Sequence, residues 1–123
     1  MGQVLARMAL QRLARFDPSA FARCSLVTVG GPLGNPVLRN IFEPLVWADS
    51  VYDVGAPWVD IWNAQDPICA DALFGYSQLR AADRSVQVQA PGSPSLLDPA
   101  AEHGAYFGLD AVWAVVKDVA EAP

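Results

Sequence analysis

"CSLVTVG", residues 24–30, decides the fold class. The segment is short, rich in β-branched residues and almost continuously apolar, which reads as a strand. A strand with one wet face alternates apolar and polar residues. An unbroken apolar run instead calls for cover on both faces, as in a parallel sheet with helices on either side. The expectation is therefore that this strand lies in the middle of its sheet. Gly30, Gly31, Pro32 and Gly34 then force a turn. The turn is not a phosphate loop, because the Lys-Ser/Thr pair is absent and Pro32 lacks a backbone N–H.

Upstream, residues 3–16 ("QVLARMALQRLARF") read as an amphipathic helix. Val4, Leu5, Met8, Leu13 and Phe16 fall near one side, expected to be buried. Gln3, Arg7 and Gln11 fall near the other, expected to be solvated. Asp17-Pro18 ends the helix and caps a short helical turn through Arg23. Downstream, residues 35–56 show no clean period and remain unassigned. "PWVDIWN" (57–63) is a second strand, and residues 70–82 are a helix or broken helix. "SVQVQA" (85–90) alternates and makes a third, edge-ward strand, followed by a turn-rich loop over 91–99. Residues 109–120 form a closing helix that buries Leu109, Val112, Trp113, Val116 and Val119. Strands alternating with helical segments indicate an α/β fold with a mostly parallel sheet, in which chemistry collects at the carboxyl ends of the strands.

Composition agrees with a single domain over residues 1–123, apolar (53% hydrophobic) and with enough glycine and proline for tight turns. No apolar run approaches the roughly 20 residues of a membrane-spanning helix, and Arg7, Arg12 and Arg15 interrupt any signal-peptide core. The net charge of -5 is uneven, with five arginines and one acid in residues 1–40 and three bases and twelve acids thereafter. The arginines read as the solvated face of one helix rather than a nucleic-acid surface, since the acidic remainder repels phosphate. Cys24 and Cys69 are not closely spaced, and His103 is the single histidine, so no zinc cluster can be assembled. Two reduced, mostly buried thiols in a cytoplasmic protein are the simplest reading; a disulfide between them stays open. The tryptophans Trp47, Trp58, Trp62 and Trp113 read as core.

Asp66 follows the strand at 57–63, and His103 follows the next strand, ahead of the last helix. A carboxylate that accepts a hydrogen bond from one imidazole nitrogen fixes the tautomer and stabilises the imidazolium when the other nitrogen takes a proton from a nucleophile. Asp60 is the rival acid, but it sits in mid-strand. At these residues the chain resembles the lipase- and esterase-like members of the α/β-hydrolase superfamily. "LVTVGGPLG" (26–34) is similar to that family's strand-and-turn, "WVDIWNAQDPI" (58–68) to its acid-bearing strand and loop, and "EHGAYF" (102–107) to its histidine segment. Gly31 stands where the family usually has serine.

The resemblance covers nearly the whole chain and implies a partial three-layer α/β/α fold, a truncated α/β-hydrolase. It also implies Asp66 as triad acid, His103 as base, a small-molecule ester as substrate and no cofactor or metal. The family's order of nucleophile, acid, histidine puts the nucleophile ahead of Asp66 on a G-x-S-x-G elbow. That motif is absent, and the nearest decoy, Ser77 in "GYSQL" (75–79), falls between acid and base and lacks the second glycine. "MGQVLARMAL" looks like the helix that follows the elbow. Met1 would then be the residue after the nucleophile, its amide belonging to the oxyanion hole, and Gly2 the elbow's last glycine. The expectation is a carboxyl-terminal part of a serine ester hydrolase, inactive alone, whether by fragmentation, natural truncation or an internal start. The alternative is a small non-catalytic α/β domain that binds a protein partner, or itself, through an exposed sheet edge.

Overall fold

A computed structural model describes residues 2–46, 58–64, 66, 68–69, 84–89 and 103–122. Met1, Trp47, the expected helix at 70–82 with Ser77, and the loop at 91–99 lie outside the described residues. Helix α1 (Gly2–Phe16) leads into a one-turn helix α2 (Pro18–Phe21) and strand β1 (Leu26–Val29). Helix α3 (Pro36–Val46), strand β2 (Trp58–Trp62), strand β3 (Arg84–Gln87) and helix α4 (Asp110–Glu121) follow. The three strands form one parallel sheet in the order β1-β2-β3, with Leu26 opposite Trp58 and Val59 opposite Arg84. The chain is therefore of α/β class.

The middle position belongs to β2, not to β1 as expected. Trp58 to Ile61 are all buried, whereas Leu26, Val27 and Val29 are only half-buried. An unbroken apolar strand demands cover on its faces, but face cover does not decide which strand has neighbours on both sides. The edge-ward position expected for residues 85–90 matches β3. Residues on successive positions of β2 point to opposite faces. Trp58 joins Val4 of α1 and Leu33 in one apolar cluster, while Ile61 joins Tyr106, Cys69, Val88 and Val112 of α4 in another. Helices α1 and α4 thus cover opposite faces.

The turns are capped by short polar side chains. Asp17 Oδ1 accepts from the Ala20 N–H at 2.9 Å, and this bond, with that from Ser19, holds its carboxyl below the usual range. Asn35 Oδ1 accepts from the N–H groups of Val37 and Leu38 ahead of α3, with Pro36 as the first helical residue. Asn-Pro is a helix-start signal that the aperiodic stretch at 35–56 carried all along.

Helix α1 is turned opposite to its amphipathic pattern. Gln3, Arg7 and Gln11 are buried with Val4 and Ala14. Leu5, Met8 and Phe16 are exposed, Phe16 at 81%. The polar residues point inward because the sheet offers them partners. Gln3 Nε2–H donates to Asp60 Oδ1 at 2.7 Å and also approaches Thr28 Oγ1 at 3.2 Å. Gln3 Oε1 accepts the Leu33 N–H at 2.9 Å. The Arg7 guanidinium lies 4.3 Å above the Trp58 ring, a cation–π contact, so this arginine is not part of a solvated face. Arg12, Arg15 and Arg23 are exposed as expected. In α4, Val112 is buried and Val116 and Val119 are half-buried, but Trp113 is 53% exposed, its Nε1–H donating to the Phe107 carbonyl.

Asp60 sits at the centre of this arrangement with no exposed surface. Its Oδ1 accepts from Gln3 and from the Thr28 hydroxyl at 2.6 Å, and Thr28 Oγ1 in turn accepts from Trp58 Nε1–H at 2.8 Å. Burial pushes the Asp60 carboxyl from its ordinary 3.8 up to about 7, against the opposing pull of the Thr28 and Gln3 hydrogen bonds. A carboxyl with a raised folded-state pKa binds more protons folded than unfolded between those two values. Stability is then greatest below pH 3.8 and falls as pH rises towards 7. Asp60→Asn mimics the neutral acid. Subtracting its urea-unfolding free energies from those of wild type should leave a slope confined to that window, on the order of 4 kcal/mol at full extent. A flat difference curve would show that Asp60 ionises freely inside the fold.

Candidate active site

Three chain segments meet at the carboxyl end of the sheet: the turn after β1, the turn after β2, and His103 just ahead of the 3-10 turn Ala105–Gly108. Gly30 prolongs the β1 ladder by donating its N–H to the Ile61 carbonyl at 2.8 Å. After β2 the chain folds back on itself. The Asp66 N–H donates to the Asn63 carbonyl at 3.0 Å, and Asp66 Oδ1 accepts the Ile68 N–H at 2.8 Å. An aspartate bonded to backbone two residues on is the usual chemistry of such a turn. Here it also aims the second carboxylate oxygen.

That oxygen, Oδ2, lies 2.9 Å from His103 Nδ1. The approach expected of these two residues is thus present. Asp66 has no exposed surface, whereas the His103 side chain is 39% exposed. A buried carboxylate beside a partly open imidazole is a hydrogen-bonded pair in a setting of low dielectric, where the attraction is strong and geometry is well defined. With Nδ1 engaged by Asp66, Nε2 is the nitrogen able to exchange a proton. Asp60, the rival acid, is engaged with Gln3 and Thr28 beneath α1 and does not partner the histidine among the described residues.

Two neighbours overlooked in the sequence shape the pair. Gly30 has φ +58°, a left-handed conformation. A Cβ there would fall 2.7 Å from Tyr106 Cε2, 3.1 Å from His103 Cε1 and 3.2 Å from Asp66 Oδ2. Glycine is required on both counts. Tyr106 is buried, and its ring meets the His103 ring edge-on at 6.3 Å between centroids and 84° between planes. Its hydroxyl accepts the Asn63 N–H at 2.9 Å and lies 2.9 Å from Cys69 Sγ. Burial pushes the Tyr106 hydroxyl far above its usual range and the Cys69 thiol up to about 11, so both stay protonated at neutral pH. Cys69 is no nucleophile, since the thiolate is the reactive form. Both cysteines are free; the Cys24 thiol is spent on the Ala20 carbonyl.

A cleft of about 310 Å³ opens beside the pair, lined by Gly2, Gln3, Gly31, Pro32, Ile68 and His103 among others. The start of α1 therefore faces the histidine across the cleft. The positive end of a helix dipole favours developing negative charge. None of the described lining residues carries a hydroxyl or a thiol. Among the described residues no three His, Cys, Asp or Glu side chains gather as metal ligands, and no helix is long and apolar enough to cross a membrane. No family model, curated protein or solved structure matches the chain.

Gly30→Ala should destabilise the protein by about 2 kcal/mol or more, the sum of a left-handed backbone without glycine and an overpacked contact with Tyr106. Urea denaturation measures this. A loss below about 0.5 kcal/mol, the usual size for an unconstrained surface position, would mean that the three side chains do not crowd this glycine.

Proposed function

We propose that this chain is a carboxyl-terminal part of a serine ester hydrolase, resembling the lipase- and esterase-like α/β-hydrolases. Asp66 is the triad acid, His103 the base, and the nucleophile is presented just ahead of Met1. The observation that carries the reading is the 2.9 Å contact between the buried Asp66 carboxylate and Nδ1 of a partly open His103. Support comes also from the parallel order of the strands and from the start of α1 lining the same cleft.

The chemistry follows from the geometry. Asp66 holds the tautomer with a proton on Nδ1, so Nε2 takes the proton of an attacking hydroxyl and returns it to the leaving alcohol. The buried carboxylate stabilises the imidazolium in between. The ester carbonyl acquires negative charge beside the start of α1, and the amide of Met1, by resemblance, is one donor of that hole. Side chains and backbone amides carry these steps, on a small-molecule ester, in a cytoplasmic protein.

A second reading has its own support. Among the described strands β1 has a neighbour on one side only, and Leu5, Met8 and Phe16 of α1 face outward. An uncovered parallel edge and apolar surface suit a non-catalytic domain that self-associates or adds a partner's strand. Codons read in frame ahead of Met1 separate the two. A glycine-x-serine run there supports the hydrolase, and a ribosome-binding site without one supports the binding domain.

The 123-residue chain, purified alone, should hydrolyse p-nitrophenyl esters no faster than buffer, and His103→Ala should change nothing. Turnover that disappears in His103→Ala would place a nucleophile within the chain and overturn its assignment ahead of Met1, with Ser77 the first residue to test.

A further inference from the structure

The Tyr106 hydroxyl belongs to no step of the proposed reaction, yet it is the only described side chain that touches both halves of the acid–histidine pair's support. From the 3-10 turn next to His103 it reaches back to the strand end that carries Asp66. There it accepts the Asn63 N–H at 2.9 Å. The Asn63 carbonyl is the acceptor for the Asp66 N–H at 3.0 Å. One residue, Asn63, therefore links the hydroxyl to the turn that aims the carboxylate. The same ring stands edge-on to His103 and is backed by Gly30, which leaves no room for a side chain. Cys69 Sγ is the other polar neighbour of the hydroxyl and also reaches the Asn63 carbonyl at 3.5 Å.

We propose that Tyr106 is a positioning residue: its hydroxyl, through Asn63, sets the distance between Asp66 and His103 and so fixes the imidazole tautomer. The role rests on reading Asp66 and His103 as an acid–base pair. It differs from plain packing in a checkable way. Tyr106→Phe keeps the ring, its volume and its edge contact with His103, and removes one acceptor. The Asn63 N–H loses its acceptor on Tyr106, and the Asp66 turn loosens with it.

Because the chain has one histidine, ¹⁵N shifts of the imidazole ring report its tautomer without assignment ambiguity. Wild type should show the proton on Nδ1, and Asp66→Asn should lose that preference. Tyr106→Phe should shift towards a mixture of tautomers, a change of about ten-fold in the ratio for one buried hydrogen bond. Cys69→Ala, which removes the hydroxyl's other polar contact, should look like wild type. In the wild-type protein the Asn63 amide should resist hydrogen exchange as well as the Gly30 amide does, a measurement that requires no variant to fold. Rapid exchange at Asn63, a wild-type ratio in folded Tyr106→Phe, or an equal loss in Cys69→Ala would each overturn the positioning role while leaving the pair intact. Identical spectra for wild type and Asp66→Asn would instead remove the pair itself, and Tyr106's role with it.

Discussion

A carboxyl group with no exposed surface ties this fold together. Asp60 lies in the middle strand, and its Oδ1 draws in Gln3 from α1 and Thr28 from β1. One acceptor atom thus joins a helix and both strands of the β1–β2 pair. Burying an unpaired carboxylate costs far more than two neutral hydrogen bonds return, so the group keeps its proton until about pH 7. The arrangement works because a neutral acid is a tolerable core residue. It also anchors the described first turn of α1. Gln3 spends its amide on Asp60 and its carbonyl on Leu33, and the first turn of the helix is thereby held over the end of the sheet.

The same segment carries a second aspartate with the opposite task. Asp66 is as buried as Asp60, but its two oxygens meet a backbone N–H and an imidazole nitrogen, whereas Asp60 gives one oxygen to two neutral side chains. Six residues of chain separate a carboxyl that serves the core from one directed at a cleft. What distinguishes them is position along the strand. Mid-strand side chains face helices, whereas residues past the carboxyl end face open space at the sheet's rim, where α/β proteins gather their chemistry.

Much of this was legible in the sequence where composition and period speak directly. The strands at 24–30 and 57–63, their parallel order, the edge position of the third and the break at Asp17-Pro18 all follow from local patterns. The meeting of Asp66 and His103 followed from topology. What failed were the inferences about α1 and about the order of the strands. Amphipathicity placed Leu5, Met8 and Phe16 inside because it ranks side chains by their affinity for water. It cannot register that Asp60 and Trp58 wait opposite Gln3 and Arg7. A buried aspartate amid apolar residues was itself the missed signal: it demands polar partners, and a helix with glutamines was the nearest source. The central place of β2 was hidden for a similar reason, since lateral neighbours leave no trace in a strand's own pattern. Tyr106 went unread because nothing local separates a strut from a core ring.

Gly31 gives the buried glutamine a wider meaning. A Cβ at position 31 would occupy the space filled by the Gln3 side-chain amide. The two positions, 28 residues apart in sequence, share one volume and are not free to drift separately. A larger residue at 31 must push the Gln3 amide aside, and a displaced Gln3 abandons Asp60, Thr28 and the Leu33 amide together. Among related chains the pair should therefore change in concert or not at all, and the glycine should travel with the glutamine even where the histidine and its acid have been lost.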